Sequence, residues 1–333
     1  MGRTLQQGKT PDRHSREITN LRTHGNRHGE KHGALRPRHI ALKPRRKAMH
    51  QGPRSMKTFA VFLPHSFTAE VPSFREATMK IGFVGRVLAT FRVDELVLYP
   101  DEPGAPRIRN ALLIKELLDY LVTAPYLRSR IYPLKPSLRY AGLLPPLNIP
   151  THPEADALKK EGTHYRQALV TASGQTSLLE AGMGKPLKIP RKLPKNKIVT
   201  LRVRIKEGRV KYSVVGKKSG ETYTGFRTRV VKSLEEALKP YTFRLATSRL
   251  GEPINQVYAT VAQRLREPIQ TCVVFGAADK GLHEIAQAHG LDYSSLFTLT
   301  INTAPNQGVK TIRTEEALAY TLAILNLAKT STI

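Results

Sequence analysis

The 333-residue sequence predicts an α/β protein with a mostly parallel sheet, into which a small basic β-barrel is inserted. Three observations carry this. Apolar runs of strand length alternate with helix-period segments from 58 to 122, the same alternation resumes at 241, and a segment of strict period two lies between. At about 100–200 residues per domain, the length is enough for two.

TFAVFLP (58–64) is a continuous apolar run, as a strand covered on both faces requires. FREATMKIGFVGRVLATF (74–91) follows, with Met79, Phe83, Val87 and Phe91 at helical intervals. ELVLYP (95–100) is a second strand and ALLIKELLDYLV (111–122) a second helix. The alternation stops near Pro125. The proline-rich stretch from 133 to 153, which contains LLPPLNIP, predicts an extended connection. In KIVTLRVRIKEGRVKYSVVG (197–216), Val199, Leu201, Val203 and Ile205 share one face, while Thr200, Arg202, Arg204 and Lys206 share the other. Glu207-Gly208 makes the turn, and Val210, Tyr212 and Val214 continue the pattern, so this is a hairpin of a small barrel with a basic face.

Strands are then expected at 241–248, 270–277 and 296–302, with helices at 255–265, 280–290 and 314–328. Glu315 and Glu316 open the last helix, where they complement its positive end. The resulting division is a disordered basic tail (1–55), a first α/β part (56–150), the barrel (151–235) and a second α/β part (236–333).

Charge separates these parts. Residues 1–55 carry 14 Lys/Arg against 3 Asp/Glu and residues 185–232 carry 16 against 2, which accounts for nearly all of the net +28. A polyanion is the expected partner, and two separate basic segments favour nucleic acid over an anionic membrane, since neither has the apolar face of an interfacial helix. The basic hairpin supplies Arg202, Arg204, Lys206 and Lys211 for RNA, with Tyr212, Tyr223 and Phe226 as stacking aromatics. No apolar window reaches membrane-spanning length and no signal peptide is evident, so a cytoplasmic protein is expected, nuclear in a eukaryote. Cys272, the single cysteine, sits in an apolar run and is expected to be an inert core thiol. No metal site is expected.

Three strand ends in the second half run into turn-forming loops: ATSRLGEP (246–253), FGAADKGL (275–282) and NTAPNQGVKTIRTEE (302–316). Ligands of open α/β sheets bind at such carboxyl ends. No GxGxxG or GxxxxGK[ST] occurs, which weakens hydride-transfer and nucleotide-hydrolysis readings. Gly276 and Gly281 let backbone approach a flat ligand.

The ordered set LATSRLG, VVFGAADKGL and INTAPNQGVKTIRTEEALAYTLAILNL resembles the RNA methyltransferases of the SPOUT class, the trefoil-knot family, as found in archaea and eukaryotes. KIGFVGRVLATFRVDELVLYPD and YLRSRIYPLKPSLRYAGLLPPL precede it and extend the resemblance to about 57–150 and 240–328. The resemblance implies a C-terminal trefoil knot, S-adenosyl-L-methionine held in it, a homodimer, and an inserted RNA-binding barrel of the OB type. Carried onto this sequence, it assigns the cofactor to Thr247, Ser248, Gly251, Phe275, Gly276, Gly281, Leu282, Asn302 and Pro305. Asn306, Gln307 and Gly308 would make the turn around it, and Thr311 and Ile312 would face the adenine. Arg313 is the expected stabiliser of a uridine N3 anion, with Arg86 or Arg249 reaching across a dimer and Glu315 facing the acceptor or the partner. The substrate expected is rRNA or tRNA. The alternative reading is a non-catalytic RNA-binding or ribosome-assembly protein.

Overall fold

A computed structural model describes residues 58–153, 155–216 and 222–330. The basic tail expected at 1–55 lies outside them. The first α/β part contains β1 (Phe59–Pro64), α1 (Phe74–Thr90), β2 (Glu95–Tyr99), α2 (Ile108–Val122) and α3 (Pro125–Ile131). The insertion contributes β3 (Gly162–Ala172), β4 (Ser177–Glu180), β5 (Leu187–Ile189), β6 (Ile198–Lys206) and β7 (Arg209–Val215). The chain then returns through β8 (Arg227–Val230), α4 (Leu234–Leu238), β9 (Phe243–Pro253), α5 (Ile254–Arg266), β10 (Thr271–Val274), α6 (Leu282–Ala288), α7 (Tyr293–Leu296), β11 (Leu299–Asn302) and α8 (Thr314–Thr330).

Six strands form a parallel sheet in the order β11-β9-β10-β1-β2-β8. Because side chains alternate across a strand, β1 splits its apolar run between two cores: Phe59, Val61 and Leu63 pack with α1, α2, α5 and α8, while Ala60 and Phe62 pack with α4, α6 and α7. Cys272 is fully buried in the second core, and burial pushes its thiol pKa up, so the thiol stays protonated and inert.

Three features differ from the sequence reading. α1 buries Ile81, Val84 and Leu88 and leaves Met79 (51% exposed) and Phe83 (47% exposed) outside, because apolar residues cover more than one of its faces. The proline-rich stretch is not simply extended: α3 precedes it, and two single turns fold it back onto α1. A Cβ on Gly82 would lie 2.6 Å from Pro145, and one on Gly85 would lie 2.4 Å from Leu121 of α2, so both glycines are packing sites. Finally, Arg227–Val230, assigned to the barrel from sequence, pairs with β2 in the parallel sheet.

The insertion is a five-stranded antiparallel sheet, β5-β4-β3-β6-β7, with its own core of Val170, Leu179, Ile189, Leu201 and Val203. Glu207 (φ 52°) and Gly208 (φ 70°) form the two-residue turn from β6 to β7, whose left-handed pair matches strand twist. Among the described residues, no helix is long and apolar enough to cross a membrane.

Candidate active site

β9 carries the first loop inside itself. Its pairing with β11 jumps from Ala246↔Thr300 to Glu252↔Ile301, so residues 247–251 are extruded at the carboxyl edge while the strand continues to Pro253. Gly251 makes this possible. A Cβ there would come within 2.7 Å of the Ile301 carbonyl carbon and 2.9 Å of its nitrogen, closer than any side chain tolerates.

The second loop follows β10. Tyr99, fully buried, donates from its hydroxyl to the Phe275 carbonyl at 2.6 Å, and burial holds its pKa well above the usual phenol value. Ala277 donates to the Lys280 carbonyl at 2.9 Å, Lys280 pairs with Glu102 at 3.1 Å, and Gly281 donates to Glu284 at 2.6 Å. The third loop follows β11, where a turn at Pro305-Asn306 is closed by Gln307 donating to the Ala304 carbonyl at 3.2 Å. The Gln307 amide then donates to Val309 and Lys310 carbonyls at 2.8 and 3.3 Å.

The first and third of these loops are tied to one another. Asn302, buried at the end of β11, donates to the Arg249 carbonyl at 2.8 Å and accepts from Ala304 at 2.9 Å. Arg249 donates back to the Lys310 carbonyl at 3.3 Å. The Thr247 hydroxyl donates at 3.0 Å to Val274, the last residue of β10, which ties the first loop to the strand that leads into the second, and Ser248 shapes the first by accepting from Leu250 at 3.1 Å. α5 and α8 lie on one face and α6 on the other, so the loops meet where successive connections leave in opposite directions, the usual crevice of an open α/β sheet.

The geometry suits a flat, partly apolar ligand. A side chain at Gly281 would meet only Glu284 Oε2 at 3.7 Å and one at Gly308 nothing within 4 Å, so backbone is accessible on two of the loops. Leu250 (84% exposed) and Val309 (58% exposed) stand in solvent on two different loops, an arrangement that a ligand or partner would cover. Phe275 and Leu282 are buried beneath, Pro305, Asn306 and Thr311 are exposed, and Ile312 is half-buried.

The expected catalytic residues separate. Arg313 is exposed at the rim of the third loop, its backbone N–H bonded to Glu316 at 3.0 Å. Glu315 faces inward instead: it pairs at 2.9 Å with Lys80 of α1, which also pairs with Glu70. That pair fixes the start of α8 against α1. Arg86 stands six residues beyond Lys80, about 9 Å further along α1, with its guanidinium donating to the Pro146 carbonyl. It lines two grooves, of about 510 and 490 Å³, that run along α1 outside the three loops.

On the inserted sheet, Arg204, Lys206 and Lys211 are exposed and Arg202 is half-buried, donating to Ser213 at 3.2 Å. Tyr212 does not join them. It sits opposite Val203 and packs on the core of that sheet, because it shares the apolar phase of the alternation. Tyr223 and Phe226 are likewise buried in the main core and offer no stacking platform on that face. His283 stacks on Tyr293, ring centroids 3.4 Å apart. Sequence reasoning missed Lys80 and Tyr99 altogether. A lysine inside a helix and a tyrosine ending an apolar strand carry no signal until their partners are known.

A family model described as "Putative RNA methyltransferase" matches residues 58–325, which include all three loops. The chain belongs to this family. A protein of Haloarcula marismortui with no assigned function is 33% identical over 82% of this chain and 100% of its own. The human 28S rRNA (uridine-N(3))-methyltransferase is 30% identical over 80% of this chain and 77% of its own length. Among solved structures, TrmJ from Z. mobilis ZM4 is similar over 84% of this chain and 72% of that one, at 12% identity and a TM-score of 0.33. As a member of an RNA methyltransferase family, the chain is an enzyme.

Proposed function

We propose that this RNA methyltransferase transfers a methyl group from S-adenosylmethionine to N3 of a uridine in ribosomal RNA. The observation that carries the reading is the joining of the first and third carboxyl-edge loops through Asn302 and Arg249, with Thr247 tying the first to the end of β10, within a chain similar to a uridine-N3 methyltransferase of 28S rRNA. The accessible backbone at Gly281 and Gly308 and the apolar Leu250 and Val309 fit an adenosyl group, which Thr247, Ser248, Phe275, Gly276, Leu282 and residues 305–312 would hold. When bound, that group supplies an electrophilic methyl.

The chain's own task is then positioning, the largest contribution available to a transfer of this kind. Uridine N3 loses its proton before or during attack, and negative charge grows on the flanking carbonyl oxygens. Arg313, exposed at the loop rim, would stabilise that charge. The inserted sheet brings RNA to the site as an OB-like barrel, and the path of the chain through loops 247–251 and 302–313 is read as the trefoil knot. A homodimer is part of the same reading.

Gly281 has an ordinary φ of −74°, so Gly281→Trp adds a side chain without backbone strain. It is expected to abolish S-adenosylmethionine binding in calorimetry with an unchanged melting temperature. Unchanged affinity removes this loop from the site. Incubation of the wild-type protein with ribosomal RNA and the methyl donor, followed by nucleoside mass spectrometry, is expected to yield 3-methyluridine; a different methylated nucleoside overturns the atom assigned.

A further inference from the structure

We propose that the groove between α1, the proline-rich connection and β3 seats a nucleotide of the single-stranded RNA substrate; the inference rests on the reading of this protein as an RNA methyltransferase. The groove has about 510 Å³, within the usual range of 300–1,000 Å³ for ligand sites. Its floor is apolar and buried: Leu147, Ile149, Tyr165 and Tyr223 are each at most 6% exposed. Its rim carries the exposed Arg86 and Arg92, and among the described residues no acidic side chain lines it. An apolar floor under a cationic rim fits a base laid flat with its phosphate at the edge. A duplex, whose bases are stacked inside, could not use the floor.

The groove also lies on a continuous track. Thr163 of its wall is paired with Arg204 on β6, and Arg204 with Lys211 on β7. Directly paired residues share one face of a sheet, with strands about 4.8 Å apart, so the row from Thr163 to Lys211 spans about 10 Å. The basic face of the hairpin therefore runs into the mouth of the groove. Arg86, which the sequence suggested for chemistry, takes its place here as a phosphate contact, oriented by its bond to the Pro146 carbonyl. His164, bonded through Nε2 to the Lys160 carbonyl at 2.8 Å, adds an imidazole ring at the same wall.

The test uses the full chain and a fluorescent ten-residue oligouridylate, read by anisotropy across a salt series. Arg86→Glu combined with Arg92→Glu is expected to weaken binding at least about tenfold and to flatten the salt dependence by about 1.4 in log–log slope, two single-strand phosphates' worth. Thr90→Trp fills the groove without altering charge, and is expected to weaken binding at least about threefold with the slope unchanged. Melting temperature and S-adenosylmethionine affinity are expected to stay at wild-type values in both. Wild-type RNA binding by both variants overturns the proposal. Weakening by the charge variant alone shows long-range attraction across α1 and overturns the seat, while weakening by Thr90→Trp alone leaves the seat but removes the arginines as phosphate contacts. Failure of the wild-type chain to bind the methyl donor strikes the methyltransferase reading instead and leaves the RNA measurement to decide the groove.

Discussion

The carboxyl-edge loops and the inserted sheet are built on opposite electrostatic terms. Residues 233–333 balance nine Lys/Arg with nine Asp/Glu, and the loops close on themselves through hydrogen bonds such as Asn302 to Arg249. Residues 185–232 carry sixteen against two, and their pairing register sets Arg204 opposite Lys211 and Lys206 opposite Arg209. Like charges across a strand pair are destabilising, and only Glu207, 3.5 Å from Lys206, relieves them from within the hairpin. One region is finished in the free chain, while the other keeps a repulsion that, on the proposed reading, bound RNA would relieve. That is the division expected of an enzyme that must position a small donor and attract a large acceptor.

The strongest way to break the comparison is to spoil the finished region. Gly251→Val places carbon where the Ile301 backbone already stands, so β9 and β11 must part. A loss on the order of 3 kcal/mol or more is expected, at the upper end for single substitutions, with a lower melting temperature and no measurable binding of the methyl donor. Gly281→Ala, whose Cβ meets only a flexible carboxylate, is expected to melt like the wild type. Equal melting of all three proteins would mean that the extruded loop is not held as described.

Lys80 comes next. Its side chain is 5% exposed and its partner Glu315 only 15%, so Lys80→Met strands a carboxylate against α1 at a cost of about 3 kcal/mol. Urea unfolding measures it, and adding Glu315→Gln is expected to recover part of the loss. If Lys80→Met weakens methyl transfer without loss of stability, Glu315 has a direct role in the site after all. The comparison is sharpened because charge removal on the basic hairpin is expected to have no such cost.

These residues also show how far sequence reaches. β1 and β10 were legible because a strand covered on both faces must be apolar throughout, and β6 because one covered face imposes period two. The three loops were legible as turn chemistry at strand ends. What was not legible depends on partners distant in sequence. The alternation that identified the hairpin also contained the fact that Tyr212 lies on the apolar side with Val203, yet its hydroxyl suggested a stacking role. Met79 and Phe83 keep helical spacing as well as Ile81 and Leu88 do, and only the position of α8 and the folded-back prolines decides which face is covered. β9 hid its true length because the extruded residues 247–251 interrupt its pattern.

Between the two regions, where the connection enters the insertion, His152 is bonded through Nε2 to the Val122 carbonyl at 2.8 Å. Burial pushes its pKa down to about 4 from an ordinary 6.5, against the smaller opposing effect of that bond. The folded state therefore resists protonation more than the unfolded one. Its stabilising contribution is whole above pH 6.5 and is lost as pH falls from there towards 4, by about 2 kcal/mol after allowance for partial exposure. Urea midpoints at pH 7.5 and 4.5 measure the loss, and His152→Gln is expected to shrink the difference by that amount. No change in pH dependence would place the imidazole in solvent.

The smallest effect divides the two regions most sharply. Lys211→Glu turns the like-charged pair with Arg204 into an opposite-charged one, and a cross-strand pair of this kind is worth about 0.2–1 kcal/mol. The free protein is therefore expected to become slightly more stable, while its affinity for single-stranded RNA falls and its salt slope drops by at least about 0.7, one phosphate contact. No substitution among the carboxyl-edge loops should move stability and RNA affinity in opposite directions, because those loops balance four Lys/Arg with four Asp/Glu. If Lys211→Glu instead lowers stability and leaves RNA binding unchanged, the hairpin's charges serve to protect an exposed edge strand, and the basic insertion loses its role as the RNA-facing half.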